Sequence, residues 1–275
     1  MTVGDVLRSS TEYLEGKGIE SPRLESELLL SHALGLSRLE LYTQHDRPLN
    51  EPELASVRAL LRRRGAREPL AYVLGEWGFR RLVLKTDARA LVPRPETEIV
   101  VDRALAAIAG LDEPRVVDVG TGTGAIALAI ADEHPGARVV ATDVSEDALA
   151  LARENAERLG LAIELRQADL LDGVAGPVAL VVSNPPYVTS GELAGLEPEV
   201  RDFEPELALR EDGQTRALAQ AAAGVLAPGG ALVLEIHEER SEAVVADLGA
   251  LGYDAVEVVQ DLAGRDRVVE ARWMP

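Results

Sequence analysis

Val181-Val182-Ser183-Asn184-Pro185-Pro186-Tyr187 is the stretch on which the fold turns. Ala179 to Val182 is an apolar run with the length of a short buried strand, and it leads straight into a stiff polar corner. Two consecutive prolines fix φ and remove two backbone donors, so the carbonyls of Asn184 and Pro185 stay out of any helix starting there. A rigid loop at the carboxyl end of a buried strand is where open α/β sheets bind ligands. This corner offers a side-chain amide, outward carbonyls and an aromatic face, a set suited to a substrate whose reacting group is an NH2. As an isolated motif it is also an ordinary proline-rich turn. What precedes it decides.

Upstream, from Arg115, strands and helices alternate. Arg115–Val119 reads as a strand, Gly120-Thr121-Gly122-Thr123-Gly124 as a turn, and Ile126 to Ile130 as a helix. Arg138–Thr142 is a second strand ending at Asp143, and Ser145 caps the helix through Leu149 and Leu159. Ile163–Leu165 is a third strand running to Asp169, and the fourth enters Asn184. Downstream, Gly213–Leu226 reads as a helix stopped by Pro228-Gly229-Gly230, then Ala231–Ile236 as a strand and a helix to about Leu251. Ala255–Val259 and Arg267–Ala271 form a closing hairpin. The pattern predicts a doubly wound, Rossmann-like sheet.

The glycine turn fits two cofactor classes. Gly120, Gly122 and Ala125 satisfy the dinucleotide fingerprint, and Asp143 lies where a ribose-binding acid is expected. Three features favour methyl transfer over hydride transfer. Gly124 gives the compact Gly-x-Gly-x-Gly form common in S-adenosylmethionine sites. Asp169 ends the third strand, where an adenine amino group could be met. Asn184-Pro185-Pro186-Tyr187 has no task in hydride transfer. Asp143 read alone is also a helix cap, and Asp169 a turn former.

Outward toward the N-terminus the chain reads as helices to about residue 65. Thr2 caps the first, with Val3, Val6, Leu7 and Leu14 on one face. Ser21-Pro22 opens the second with a capping hydroxyl, its face formed by Leu24, Leu28 and Leu34 and its end by Gly35. Asn50-Glu51-Pro52 opens another, whose last turn holds Arg62, Arg63 and Arg64, expected as a solvated basic end. Tyr72-Val73-Leu74 and Leu82-Val83-Leu84 read as the strands of a β-hairpin around Gly75–Gly78. The expected domains are residues 1–68, a helical substrate-docking domain, 69–90, a hairpin linker, and 91–275, the catalytic domain. Arg94, between Pro93 and Pro95, is held stiffly at the entry to a helix that Pro95 starts.

The chain has 275 residues and no cysteine, so disulfides, thiolate metal sites and a cysteine nucleophile are excluded. No run has the length of a membrane span or signal peptide, so a cytoplasmic protein without a membrane partner is expected. The net charge of -19, with Lys17 and Lys85 the only lysines, disfavours naked nucleic acid as a direct partner. It suits a basic protein, and it equally fits a general composition bias. His32, His45, His134 and His237 are scattered without ligand spacing, so no metal is expected; His237, ending the fifth strand, is the one histidine that could reach the site.

Longer motifs narrow the reading. Pro69-Leu70-Ala71-Tyr72 with Gly75, Arg94-Pro95-Glu96-Thr97-Glu98, Asp118 to Ala127, Asp202-Phe203-Glu204-Pro205 and Asp261 to Asp266 accompany the Asn-Pro-Pro-Tyr turn. Together they resemble the peptide chain release factor N(5)-glutamine methyltransferases, often called HemK-type, over nearly the whole chain. The resemblance implies a class I S-adenosylmethionine-dependent methyltransferase. Its fold would be α/β, a seven-stranded sheet with an antiparallel last strand behind a small N-terminal helical bundle. It implies S-adenosyl-L-methionine as cofactor and, as substrate, the glutamine of the Gly-Gly-Gln loop in the termination factors of translation.

By the same resemblance Gly120, Thr121, Gly122, Thr123 and Gly124 pass under the methionine part and Asp143 holds the ribose. Leu170, beside Asp169, lies near the adenine, where family members often carry a larger aromatic. Asn184 and the Pro185 carbonyl grip the substrate amide, with Pro186 and Tyr187 beside it, and Phe79 and Arg94 line the site from the hairpin side. No catalytic base is expected. The run Glu192 to Asp212 fits either a lid or a solvated connection. A DNA or RNA amino-group methyltransferase using the same turn is the alternative; a non-catalytic binding protein is disfavoured by the intact Asn184.

Overall fold

The computed structural model describes residues 1–275. The chain forms two compact units, Met1–Glu76 with Glu197–Phe203, and Trp77–Leu196 with Glu204–Pro275. No helix is long and apolar enough to cross a membrane.

The first unit opens with α1 (Val3–Glu15). Its N-terminus is a capping box, in which the Asp5 N–H donates to Thr2 Oγ1 at 3.2 Å and the Thr2 N–H donates to Asp5 Oδ2 at 3.1 Å. Val3, Val6, Leu7 and Leu14 are buried, as the spacing predicts. α2 (Pro22–Leu34) differs from its prediction. Ser21 makes no capping bond, and the buried face carries Ser26, Glu27, Leu29 and Leu30 while Leu24 is exposed. An apolar triplet, Leu28-Leu29-Leu30, admits more than one helical stripe, and packing chose among them. α3 (Arg38–Thr43) and α4 (Glu51–Gly65) follow, each opened by a capping box, at Ser37/Glu40 and Asn50/Glu53. Leu70–Leu74 is a fifth helix, α5, where the sequence suggested a strand. Pro69 is its N-cap and Gly75, at φ 76°, closes it in a left-handed turn.

In the second unit the hairpin is therefore one step later than expected, β1 (Glu76–Phe79) and β2 (Leu82–Lys85), turning at Arg80 and Arg81. Next comes α6 (Thr97–Ile108), which starts at Thr97 and not at Pro95. The sheet is built from β3 (Arg115–Val119), β4 (Arg138–Asp143), β5 (Glu164–Gln167), β6 (Val178–Ser183), β7 (Leu226–Glu235), β8 (Tyr253–Gln260) and β9 (Asp266–Trp273). Its order is β5-β4-β3-β6-β7-β9-β8, and only β9 runs antiparallel to its neighbours. The intervening helices are α7 (Ala125–Glu133), α8 (Glu146–Leu159), α9 (Pro198–Phe203, part of the first unit), α10 (Gln214–Ala223) and α11 (Ser241–Leu251).

β7 begins at Leu226, so Pro228-Gly229-Gly230 lies inside a strand and does not end a helix; α10 stops at Ala223. The ladder with β6 shifts register there, from Val178–Leu226 to Leu180–Ala231, an irregularity that accommodates a proline. Alternation along the strands sends Val116, Leu180, Val182 and Val233 to one face, under α6 and α7. Val117, Val181, Leu232 and Leu234 go to the other, under α10 and α11. The chain winds one way from β3 to β5 and then returns to place β6 on the other side of β3. The carboxyl ends of β3, β4 and β6 thus surround a topological switch point.

The basic end of α4 is solvated at Arg62 and Arg63, which are exposed, but not at Arg64. Arg64 is buried, its Nε and Nη2 donating to Glu25 at 2.5 and 3.2 Å and its Nη1 lying 2.8 Å from Glu199 of α9. Arg67 also reaches Glu199, at 2.6 Å. Glu27 of α2 accepts from Arg23, Arg38 and the Tyr42 hydroxyl. Burial alone would raise its carboxyl, but the bonds from Tyr42, Arg38 and Arg23 outweigh that and hold it below the ordinary range.

Candidate active site

A cavity of about 320 Å³ sits at the carboxyl ends of β3, β4 and β6. Gly120, Thr121, Gly122, Thr123, Asp143, Asp169, Leu170, Asn184, Pro185, Pro186 and Arg94 all line it. Lining residues spread from Arg89 to Leu218 meet there because the switch point gathers the strand ends.

The loop after β3 is tied down from below. Gly120 and Thr121 donate to the Thr142 carbonyl at 2.8 and 2.9 Å, and Gly122 donates to Asp143 Oδ2 at 2.9 Å. Gly120, Gly122 and Gly124 all have positive φ, 71°, 56° and 84°, which residues with a Cβ adopt only under strain. A Cβ built on Gly120 would meet nothing within 4 Å, so the loop's surface there is open to a ligand. Asp143 Oδ1 accepts from the Ser145 N–H at 2.9 Å, so this carboxylate caps the turn into α8 as well as facing the cavity. Burial raises its carboxyl, opposed by the N–H groups of Gly122, Ser145 and Val144.

Beneath the loop lies Asp118, fully buried. Its Oδ2 accepts from Thr121 Oγ1 at 2.7 Å and from the Ala127 N–H at 3.1 Å, and Oδ1 has no partner. Burial pushes it up to about 7 against those two bonds. Asn155 braces the loop from α8, donating to the Thr123 carbonyl at 2.9 Å and exchanging bonds with the Lys85 backbone. Leu170 holds φ 50°, its carbonyl accepting from Thr142 Oγ1 at 2.9 Å.

At the Asn-Pro-Pro-Tyr corner, Ser183 Oγ donates to the Val119 carbonyl at 2.7 Å and locks the two strand ends together. Asn184 Nδ2 donates to Thr97 Oγ1 at 3.2 Å, and Thr97 Oγ1 donates to Glu235 Oε2 at 2.7 Å. Glu235 is 1 % exposed, and burial pushes its carboxyl up to about 7 against the Thr97 bond. Thr97 was quoted in the sequence only as part of a motif, and Glu235 not at all. A carboxylate ending a buried strand is the signal that could have found it.

Three expected site residues stand elsewhere. Gly124 faces the packing of α7 and α8, where an added Cβ would meet Leu128 Cδ1 at 3.0 Å and Ala152 Cβ at 3.3 Å. Phe79 is 1 % exposed and packs with Leu82, Leu84 and Val100, away from the cavity wall. Strand alternation turns its ring into the core, where truncation to Ala removes about 3–5 kcal/mol. Tyr187 lines a neighbouring cavity of about 270 Å³, its ring 6.0 Å from that of His237. Burial and nearby Glu235 push its phenol up to about 12. Arg94 does line the main cavity, but its Nη2 is bound by both oxygens of Glu204, at 2.6 and 2.8 Å. Burial raises the Glu204 carboxyl, and Arg94 and the Val92 N–H oppose the shift. Pro205, Leu207 and Ala208 complete the wall, so part of the acidic run borders the cavity.

Both parts of the chain match known protein families. The family model described as PrmC N-terminal domain matches residues 5–75, and that of the methyltransferase small domain matches 97–197. The release factor glutamine methyltransferase of Deinococcus radiodurans is 44% identical over 278 residues, covering 99% of both chains. The chain belongs to the release factor glutamine methyltransferase family. A member from Chlorobaculum tepidum is 43% identical, over 97% of this chain and 95% of its own. Among solved structures, a methyltransferase from Pyrococcus furiosus superposes with a TM-score of 0.52 at 20% identity, covering 70% of this chain and 89% of that one. That likeness shares the class I methyltransferase fold. The family's N-terminal match ends at residue 75, one short of where the helical unit leads into the hairpin.

Proposed function

We propose that the protein transfers a methyl group from S-adenosyl-L-methionine to the side-chain amide nitrogen of the glutamine in the Gly-Gly-Gln motif of peptide chain release factors. The observation that carries the reading is the Asn184 carboxamide, lining the cavity beside Pro185 with its NH2 already engaged by Thr97. That leaves Asn184 Oδ1 and the Pro185 carbonyl as two acceptors for the two N–H bonds of a substrate amide.

The cofactor assignment rests on fit. The positive-φ glycine loop, the open space at Gly120 and the carboxylates Asp143 and Asp169 suit a cationic ligand bearing a ribose and an adenine. When bound, S-adenosylmethionine supplies an electrophilic methyl carbon. Asp143 would accept from the ribose hydroxyls, and Asp169 with Leu170 would meet the adenine. An amide nitrogen is a poor nucleophile because its lone pair is delocalised. Asn184 and Pro185 orient it and favour positive charge developing on it, through preorganised acceptors in a partly water-excluded site. The helical unit serves to dock the protein substrate.

The test offers S-adenosylmethionine with a labelled methyl group to the enzyme together with a purified release factor, duplex DNA or ribosomal RNA. Label is expected on the release factor's glutamine alone. Label on nucleic acid would overturn the assignment.

A further inference from the structure

We infer that Thr97 and Glu235 are positioning residues that set which way the Asn184 carboxamide faces, and that this orientation is what lets the site distinguish glutamine from glutamate. The inference rests on the function proposed above.

The geometry is directional. Ser183 pairs with Leu234 across β6 and β7, so Asn184 comes level with Glu235 at the strand ends, and Thr97 stands between them at the start of α6. An ionised Glu235 can only accept, so it takes the single hydrogen of Thr97 Oγ1. Thr97 is then left with lone pairs alone, and the Asn184 atom facing it must be the donor Nδ2. Oδ1 is the atom that remains for the substrate. The two ends of an amide have nearly the same shape, so sterics do not choose between them; the hydrogen-bond chain does. Neither Thr97 nor Glu235 is exposed, at 4 % and 1 %, so water does not compete for these bonds.

With Oδ1 and the Pro185 carbonyl presented together, a glutamine offers two hydrogens to two acceptors, whereas a glutamate sets acceptor against acceptor. Sites built this way reject the mismatched group strongly, because their polar atoms are left unpaired. A proton on Glu235 Oε2 would reverse the chain. The acid would donate to Thr97, the threonine hydrogen would seek an acceptor, and Asn184 would turn its oxygen inward. The charged groups acting on Glu235 are Arg94 and Glu96 ahead of α6 and Arg267 on β9; Tyr187 and His237 line the neighbouring cavity with it.

The experiment compares wild type, Thr97→Val, Thr97→Ser and Glu235→Gln. Binding of a release factor with its Gly-Gly-Gln loop intact, and of one with that glutamine changed to glutamate, is measured by calorimetry with S-adenosylhomocysteine present. Turnover is followed against pH. Thr97→Val is expected to bind S-adenosylhomocysteine as wild type does, to lose about ten- to a hundredfold in kcat, and to narrow the glutamine-over-glutamate preference by about tenfold or more. Thr97→Ser, which keeps the hydroxyl, is expected within about threefold of wild type. The acid limb of the wild-type profile is expected to flatten in Glu235→Gln. An unchanged preference in Thr97→Val, equal losses in the valine and serine variants, or the same acid limb in Glu235→Gln would overturn the inference. A wild type that binds neither release factor would instead sink the proposed function, and the inference with it.

Discussion

The two units bury charge in opposite ways. In the helical unit Glu27 faces two arginines and a tyrosine, and Arg64 faces two glutamates. In the α/β unit Asp118 and Glu235 are buried at least as deeply, yet their hydrogen-bond partners are a threonine hydroxyl each and, for Asp118, one backbone N–H. The first arrangement holds a carboxylate ionised and clamps helices together. The second keeps a carboxyl near the balance between its two forms and passes its influence through a neutral hydroxyl. Glu204 shows that the division follows the task and not the unit, since it lies in the α/β unit and is clamped by Arg94 at the cavity wall. A clamp needs opposite charge. A device that orients a neutral amide does not.

The comparison breaks most readily at Arg64. Its replacement by methionine would leave the half-buried Glu25 without a cation and Glu199 with Arg67 alone, and a loss of about 3–5 kcal/mol is expected in urea unfolding. A loss under about 1 kcal/mol would mean that the clamp is ornamental.

Asn184→Ala attacks the other side. Turnover should fall on the order of a hundredfold or more while affinity for S-adenosylmethionine, measured by calorimetry, stays near wild type. Turnover close to wild type would remove the carboxamide from the mechanism.

The smallest effect is the sharpest discriminator, because the two kinds of buried acid carry opposite pH signatures. Glu27 is lowered in the fold, so its stabilisation is present above the ordinary carboxylate value of 4.5 and is lost as pH falls through the folded value. Asp118 is raised from 3.8 to about 7, so its stabilisation is complete below 3.8 and drains away as pH rises through about 7. Asp118→Asn should therefore compare better with wild type at about pH 8 than at about pH 5, by something on the order of 1–3 kcal/mol. For Glu27→Gln the deficit should be full at both and shrink only as pH falls below 4.5. Parallel trends in the two variants, read by denaturant midpoints across that range, would erase the contrast.

Much of the architecture was legible in the chain. Capping pairs three residues apart, Thr2 with Asp5 and Asn50 with Glu53, mark helix starts because both partners lie within one turn. Tyr72-Val73-Leu74 misled because a short apolar triplet carries no period of its own, and Pro69 and Gly75, which bound a single helical turn, decided the matter. Leu226 to Gly230 misled because a proline and two glycines read as a stop, whereas pairing with Val178 across a register shift kept the segment in the sheet. Phe79 and Tyr187 stand off the main cavity for different reasons. Phe79 sits on a strand whose alternation turns its ring into the core. Tyr187 lies beyond the end of β6, past two prolines, where the chain has left the strand and lines the neighbouring cavity.

What the sequence determined by itself was the succession of strands and helices from Arg115 to Asn184 and the residues at the strand ends, Gly120 to Gly124, Asp143 and Asn184. These follow from local spacing, and a parallel sheet brings its carboxyl ends together whatever the side chains do. What only the tertiary structure decided was who holds those residues in place. Asn184 meets Thr97 across 87 positions, Thr97 meets Glu235 across 138, and Arg94 meets Glu204 across 110. Partners so far apart leave no periodic trace in the chain. They are chosen when burial removes water and every remaining donor must find an acceptor.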